Sequence, residues 1–295
     1  MHFMNRRCAI LPISDPELRC KLFDSLVLPI LSYASEVWGV DEKIGDAAEL
    51  LHRKFLRQDS TANVIVLAEL GRFPLCFHWW RQILRYHNRI NNLSDDECLI
   101  MCAFVESMQD PAHLIWSHKV HSWLQSQSVG FSIEDDIDVR TGIGNAKNHY
   151  AQTWHQNYLS SVVRYQLLQP EYVIAPYLSA VKGFKSQKPV SRLGCGCHGL
   201  RVDTGRLLPL AQQVPREQRH CVFCASGAAE DEHHFVFDCP AYCAIKNRFT
   251  NIFWGPAPTL SSFFTLHYSK VTTRFLRECF EHRNFLVAKQ SGHTL

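Results

Sequence analysis

The sequence predicts a mainly α fold: several helices, with a small cysteine- and histidine-rich module near the C-terminus. Two observations carry this. Apolar residues recur at helical steps of three and four through both halves of the 295-residue chain. Against that background, "CVFCASGAAEDEHHFVFDCPAYC" (221–243) gathers four cysteines and two adjacent histidines. Phe235 and Phe237 alternate with Val236 there, so any strands are expected in a short hairpin within residues 219–240.

The elements follow in order. Ser14 or Asp15 is placed to cap a helix with Pro16 in its first turn. Leu18, Leu22, Leu26 and Ile30, at steps of four, predict its buried stripe. Pro29 is expected to kink it and Gly39 to end it. "GDAAELLHRKFLRQ" reads as a second helix with Ala48, Leu51 and Phe55 inward. "NVIVLAELGRFPL" gives a short helix stopped by Gly71, and Pro74 opens the next. That one, "PLCFHWWRQILRYHNRINNL", carries an apolar face of Leu75, Trp79, Ile83, Tyr86 or His87, and Ile90. A separate stripe of Arg81, Arg85 and Arg89 repeats at i, i+4, i+8. Ser94 with Glu97 is a capping-box pattern for a helix through about Met108. "FSIEDDIDVRTGIGNAKN" is polar and glycine-containing and reads as the main loop or linker. Helix resumes in "HYAQTWHQNYLSSVVRYQLLQ" until Pro170.

Composition bounds the function. The net charge of +3 permits a nucleic-acid partner without demanding one. No apolar run approaches the length of a membrane span, and the N-terminal apolar run is too short for a signal peptide. Twelve cysteines without a secretion signal point to a reducing, intracellular compartment, nucleus or cytoplasm. Cys20, Cys76, Cys98, Cys102 and Cys279 sit in apolar helical patterns and are expected to pack. "TGIGN" is no phosphate loop, because it lacks the preceding strand and the following Lys-Ser/Thr.

The 221–243 stretch has metal-ligand spacing. Cys221 and Cys224 form a C-x2-C pair and Cys239 is a third ligand. The fourth is His233 or His234, with His220 and Cys243 in reserve. His234, with four residues between it and Cys239, completes C-x2-C-x9-H-x4-C. That set of Cys221, Cys224, His234 and Cys239 suits one structural Zn2+. Glu230, Asp231 and Glu232 are then expected beside the ligands or in solvent.

Four segments, taken together, resemble the C-terminal part of reverse transcriptases encoded by non-LTR (LINE-type) retrotransposons. "LFDSLVLPILSYASEVWG" (Leu22–Gly39) looks like their thumb-region helix, and "LAELGRFPL" (Leu67–Leu75) like the segment downstream of it. "HGLRVDTGR" (His198–Arg206) and "RHCVFC…EDEHHFVFDCPAY" (Arg219–Tyr242) look like their terminal Cys-Cys-His-Cys module. In the family pattern Glu-Asp-Glu-x-His-Phe the ligand is the histidine before Phe, which implies His234 over His233. The resemblance implies a division into thumb-like helices (1–58), a helical linker domain (59–190), a zinc-binding module (191–250) and C-terminal helices (251–295). It covers binding parts without catalytic ones. The Asp-Asp pairs, Asp95-Asp96 and Asp135-Asp136, lack the aromatic residue two positions earlier that marks the metal-binding polymerase turn. Nothing after Tyr242 matches the Pro-Asp…Asp signature of an endonuclease.

The expectation is therefore a non-catalytic nucleic-acid-binding remnant of such a polymerase, with RNA or DNA as partner and no membrane. Its phosphate contacts are expected from Arg81, Arg85, Arg89, Arg201, Arg206 and Arg219, whose planar forks donate two hydrogen bonds at once. The alternative is a structural or protein-interaction module that self-associates through the surface a missing palm would leave. A fragment with no selected function is a further alternative.

Overall fold

The computed structural model describes residues 15–56, 63–93, 99, 102–103, 106, 116–127, 136–156, 165–166, 169–253, 259–266 and 270–290. The chain is mainly helical, and no strand occurs among the described residues. The chain divides into two compact units, one built on Glu17–Leu56 and Arg72–Asn157, the other on Arg57–Gly71 and Tyr158–Leu295. Among the described residues no helix is long and apolar enough to cross a membrane.

In the first unit, α1 (Pro16–Leu22) passes through a π-type turn at Phe23–Val27 into α2 (Leu28–Leu31). The extra residue in that turn lets the helix restart with Pro29 in its first turn, where the missing N–H costs no hydrogen bond. It also corrects the expected stripe. Leu18, Leu26 and Ile30 are exposed, and the buried face is Phe23 and Val27. Phe23 lies 4.7 Å from the His52 ring and 5.4 Å from Phe55. α3 (Ser35–Trp38) follows a left-handed Ala34 and ends at Gly39. A Cβ on Gly39 would stand 3.0 Å from Trp79 Cβ, so only glycine permits this approach. In α4 (Glu42–Leu56), Ala48 and Phe55 are buried as expected, but His52 and Leu56 replace Leu51, which faces out.

The second unit takes up α5 (Asn63–Glu69), stopped at Gly71. Gly71 has φ +59° and sits against the Ile174 backbone, and both demand a residue without a Cβ. The first unit resumes with α6 (Cys76–Asn91), which packs on α3 and buries Trp79, Ile83, Leu84, His87 and Ile90. His87, not Tyr86, completes the face. Residues 94–98, with the Ser94–Glu97 pattern, lie outside the described residues. α7 (Trp116–Ser126) contributes Val120 and Leu124 to the core around Ile83 and Leu84, and Trp123 stacks on Trp80 at 4.4 Å.

α8 (Val139–His155) corrects the linker reading of 131–148 over its described part. Asp138 caps it, its Oδ1 accepting from the N–H groups of Arg140 and Thr141. The helix then runs straight through "TGIGN". Gly142 is buried within the helix, its Cβ position 4.0 Å from Leu84 of α6, and marks no chain reversal.

The rest of the second unit comprises α9 (Pro176–Ala180), α10 (Phe184–Gly194), α11 (Arg201–Thr204), α12 (Cys243–Lys246), α13 (Leu260–Leu266) and α14 (Lys270–Gln290). α10 and α12 pack on α14. The core is aromatic: Phe235 lies 4.9 Å from Tyr242 and 4.8 Å from Phe280, while Phe275 contacts Phe249, Phe253 and Phe263.

Candidate metal centre and basic helix face

The metal-ligand stretch begins with a tight reversal. Arg219 O accepts from Glu230 N at 2.9 Å and Ala228 O from Cys221 N at 2.8 Å, with Gly227 turning the chain at φ +69°. The expected hairpin is thus reduced to a single antiparallel bridge, His220–Ala229. The Phe235/Phe237 alternation does not form a strand either. Residues His234–Asp238 make a π-type turn closed by Cys239 N donating to His234 O at 2.8 Å. His234, Phe235 and Val236 are all buried, so the segment does not alternate between core and solvent.

That wide turn explains the x4 spacing. On a regular α-helix, five positions apart means about 140° around the axis, so His234 and Cys239 would face different ways. A π-type turn holds more residues per revolution and brings them to the same side. Asp231 Oδ1 fixes the start of the turn by accepting from His234 N at 2.8 Å. Lys246 Nζ holds its end, donating to Phe237 O and Cys239 O at 2.8 and 3.0 Å.

Cys221, Cys224, His234 and Cys239 converge, with all four donor atoms within 4.8 Å of one another. Cys221 Sγ and Cys239 Sγ are 3.9 Å apart, and Cys224 Sγ and His234 Nε2 are 3.4 Å apart. A tetrahedral site with metal–sulfur bonds of ~2.3 Å and metal–nitrogen bonds of ~2.05 Å requires about 3.8 and 3.6 Å. The donor set and its spacing therefore fit a four-coordinate metal ion. Burial raises the Cys221 thiol and pushes Cys239 up to about 12. At Cys224 burial is outweighed by hydrogen bonds from Ser226, Cys221 and His234, which hold the thiol at about 6. His233 faces away, exposed, and pairs with Asp238 at 2.9 Å. The reserve residues His220 and Cys243 are exposed and outside the cluster.

The carboxylates beside the ligands are not solvent groups. Glu230 is 1% exposed and accepts both Nε and Nη2 of Arg283, at 2.8 and 3.0 Å, plus the backbone N–H of Arg201 at 2.8 Å. Glu232, also buried, accepts from Arg216 and His198 at 2.8 and 2.9 Å. His198 Nδ1 accepts from Leu200 N, so its Nε2 carries the proton given to Glu232. Arg283 also lies over the Phe223 ring, tying α14 to the loop between Cys221 and Cys224.

The candidate phosphate-contacting arginines divide. Arg81, Arg85 and Arg89 share one exposed face of α6, and none is paired with a carboxylate among the described residues. Arg89 leans over the Tyr86 ring at 5.2 Å. In the second unit Arg201 is exposed, whereas Arg206 is engaged by Asp203 and Gly196 O. Arg219 donates to Val214 O and Val202 O, which staples the module internally. Comparison with known protein families, characterised proteins and solved structures gives no match to the chain.

Proposed function

We propose that the chain is a non-catalytic nucleic-acid-binding protein, stabilised by one structural Zn2+ and gripping the phosphate backbone through α6. The observation that carries this is the exposed Arg81/Arg85/Arg89 face, whose three guanidinium groups have no carboxylate partner among the described residues. Arginine forks match phosphate oxygens, and an unmatched basic track is the electrostatic footprint of a backbone contact. The resemblance to the C-terminal part of non-LTR retrotransposon reverse transcriptases, carried by segments in both units, supports the same partner.

Zinc is the metal that best suits three thiolates and an imidazole at tetrahedral spacing. When bound, it supplies charge neutralisation for the thiolates and a cross-link between two chain segments. Cys221 and Cys224 would hold it from the first turn, His234 and Cys239 from the π-type turn. Four protein ligands complete the coordination, which suits a structural role.

A salt titration tests the reading. Affinity for a fluorescent oligonucleotide should fall steeply as salt rises. Arg81→Ala/Arg85→Ala/Arg89→Ala should weaken binding about equally across sequences, reducing the slope by about one per lost contact. Affinity indifferent to salt and to these substitutions would overturn it. That outcome would favour the second reading, a self-associating interaction module, whose supporting observation is the exposed apolar set of Ile30 on α2, Tyr33 in the turn after it and Val37 on α3.

A further inference from the structure

α6 and α8 pack against each other, and between them lies an open cleft of about 590 Å³. Arg81 and Arg85 form one wall. Arg140 and Lys147, with Gly144 between them, form the other, because i, i+4 and i+7 share a helix face. Ile137, Val139 and Ile143 line its apolar part. Four cationic side chains thus meet one carboxylate, Asp138. That carboxylate is already engaged, accepting from Arg140 N and Thr141 N on one oxygen and Thr141 Oγ1 on the other.

None of the four cations forms an ion pair with a carboxylate among the described residues, although the Arg140 charge acts on the nearby Asp138. Burial and the nearby Arg81 both depress Lys147 below the usual lysine range. His78, on α6, is lowered by burial and by Arg81, Arg85 and Lys147, against Asp24. Gly144 adds an independent observation. A mid-helix glycine costs about 1 kcal/mol relative to alanine, yet nothing lies within 4 Å of where its Cβ would be. Neither close packing nor a positive φ requires glycine here; what its missing side chain preserves is space in the cleft.

We infer that this cleft is a phosphate site, gripped from both sides by Arg81 and Arg85 of α6 and by Arg140 and Lys147 of α8. Its volume is in the range of small-ligand sites, so a nucleoside attached to the phosphate fits as well, resting on Ile137, Val139 and Ile143. The site rests on the reading of α6 as a backbone-facing helix and adds to it the second wall, which makes a discrete binding pocket from a track. The phosphate is either an internal phosphodiester of a strand or a terminal phosphate monoester.

The test measures binding of pyrophosphate, a 5′-phosphorylated oligonucleotide and its 5′-hydroxyl counterpart to the full chain. The variants are Arg140→Gln/Lys147→Gln and Gly144→Glu. Gly144→Glu puts a carboxylate into the cleft while improving helix propensity, and circular dichroism confirms the fold. Loss of two charge-assisted contacts should weaken pyrophosphate at least about tenfold, and Gly144→Glu should do at least as much. Equal loss for both oligonucleotides assigns the cleft to an internal phosphodiester; loss confined to the 5′-phosphorylated one assigns it to a strand end. Pyrophosphate that fails to bind, or binds wild type and variants alike, overturns the cleft. Oligonucleotide affinity that falls in Arg89→Ala but not in Arg140→Gln/Lys147→Gln overturns it too and leaves the α6 track standing. Pyrophosphate bound and lost in the variants, with no oligonucleotide bound at all, keeps the cleft and overturns the nucleic-acid reading.

Discussion

Arginine has two fates in this molecule. In the second unit Arg206, Arg216, Arg219 and Arg283 are engaged by the protein's own acceptors: Asp203, Glu232, the Val202 and Val214 carbonyls, and Glu230. In the first unit Arg81, Arg85 and Arg89 face outward with no carboxylate partner among the described residues, and Arg140 faces outward with only the already engaged Asp138 near it. The same side chain is a structural staple where a buried acceptor lies within reach and a free charge where none does. Residue type alone therefore says little; the acceptor decides. Charge that is already matched holds a fold together, and charge that is unmatched is available to an incoming anion.

The sharpest way to separate the two units is to remove the metal. The module around the Cys3His cluster has a small core, and structural zinc in comparable peptides contributes on the order of 10–16 kcal/mol. Chelation is expected to unfold roughly residues 215–245 while α6 and α8 keep their amide-exchange protection. His234→Ala should abolish bound zinc, measured as stoichiometry in the purified protein, and His233→Ala should leave it intact. The exposed His233–Asp238 pair is worth only about 0–1 kcal/mol. Loss of metal on His233→Ala alone would move the ligand by one residue.

The next largest effect compares one arginine from each unit. Arg283→Met leaves Glu230 buried with the backbone N–H of Arg201 and no cation, and breaking such a pair typically costs about 3–5 kcal/mol. Arg85→Met removes an exposed side chain with no carboxylate partner and should change stability by less than ~0.5 kcal/mol. Urea unfolding of both variants is the measurement. Equal losses would mean that α6 arginines are also structural.

How much of this was legible in the sequence follows the same division. The buried face of α6 was readable because its apolar residues keep helical spacing without a breaker, and the ligand set was readable because four donors sit within nineteen consecutive positions. The α1 stripe was misplaced because the π-type turn before Pro29 shifts the buried face onto Phe23 and Val27, whose partners lie on α4. The inward carboxylates were missed because Glu230 meets an arginine 53 positions away. α8 was missed because Gly142 and Gly144 read as punctuation. The spacing of Arg140, Gly144 and Lys147 was present in the sequence, but it marks one face only once the segment is known to be a helix.

The smallest expected effect is also the most specific to unmatched charge. Lys147 is held below the usual lysine range first by burial and then by Arg81. Arg81→Ala leaves the burial and removes the repulsion, so the Lys147 titration should move upward, and NMR of the side chain can follow it. The sign of the stability effect is fixed by linkage. A lysine with a depressed folded value binds fewer protons folded than unfolded in the window between the two values. Wild-type stability should therefore rise as pH increases through that window towards the unfolded lysine value near 10.5. Below the window both states are protonated and the full penalty applies; above it both are neutral and the penalty is gone. Arg81→Ala narrows the window from below, giving a flatter rise and a stability at neutral pH equal to or slightly above wild type, within ~0.5 kcal/mol. A downward shift of Lys147, or a clear loss of stability, would show that Arg81 stabilises this face instead of straining it, and the contrast between the two units would collapse at that residue.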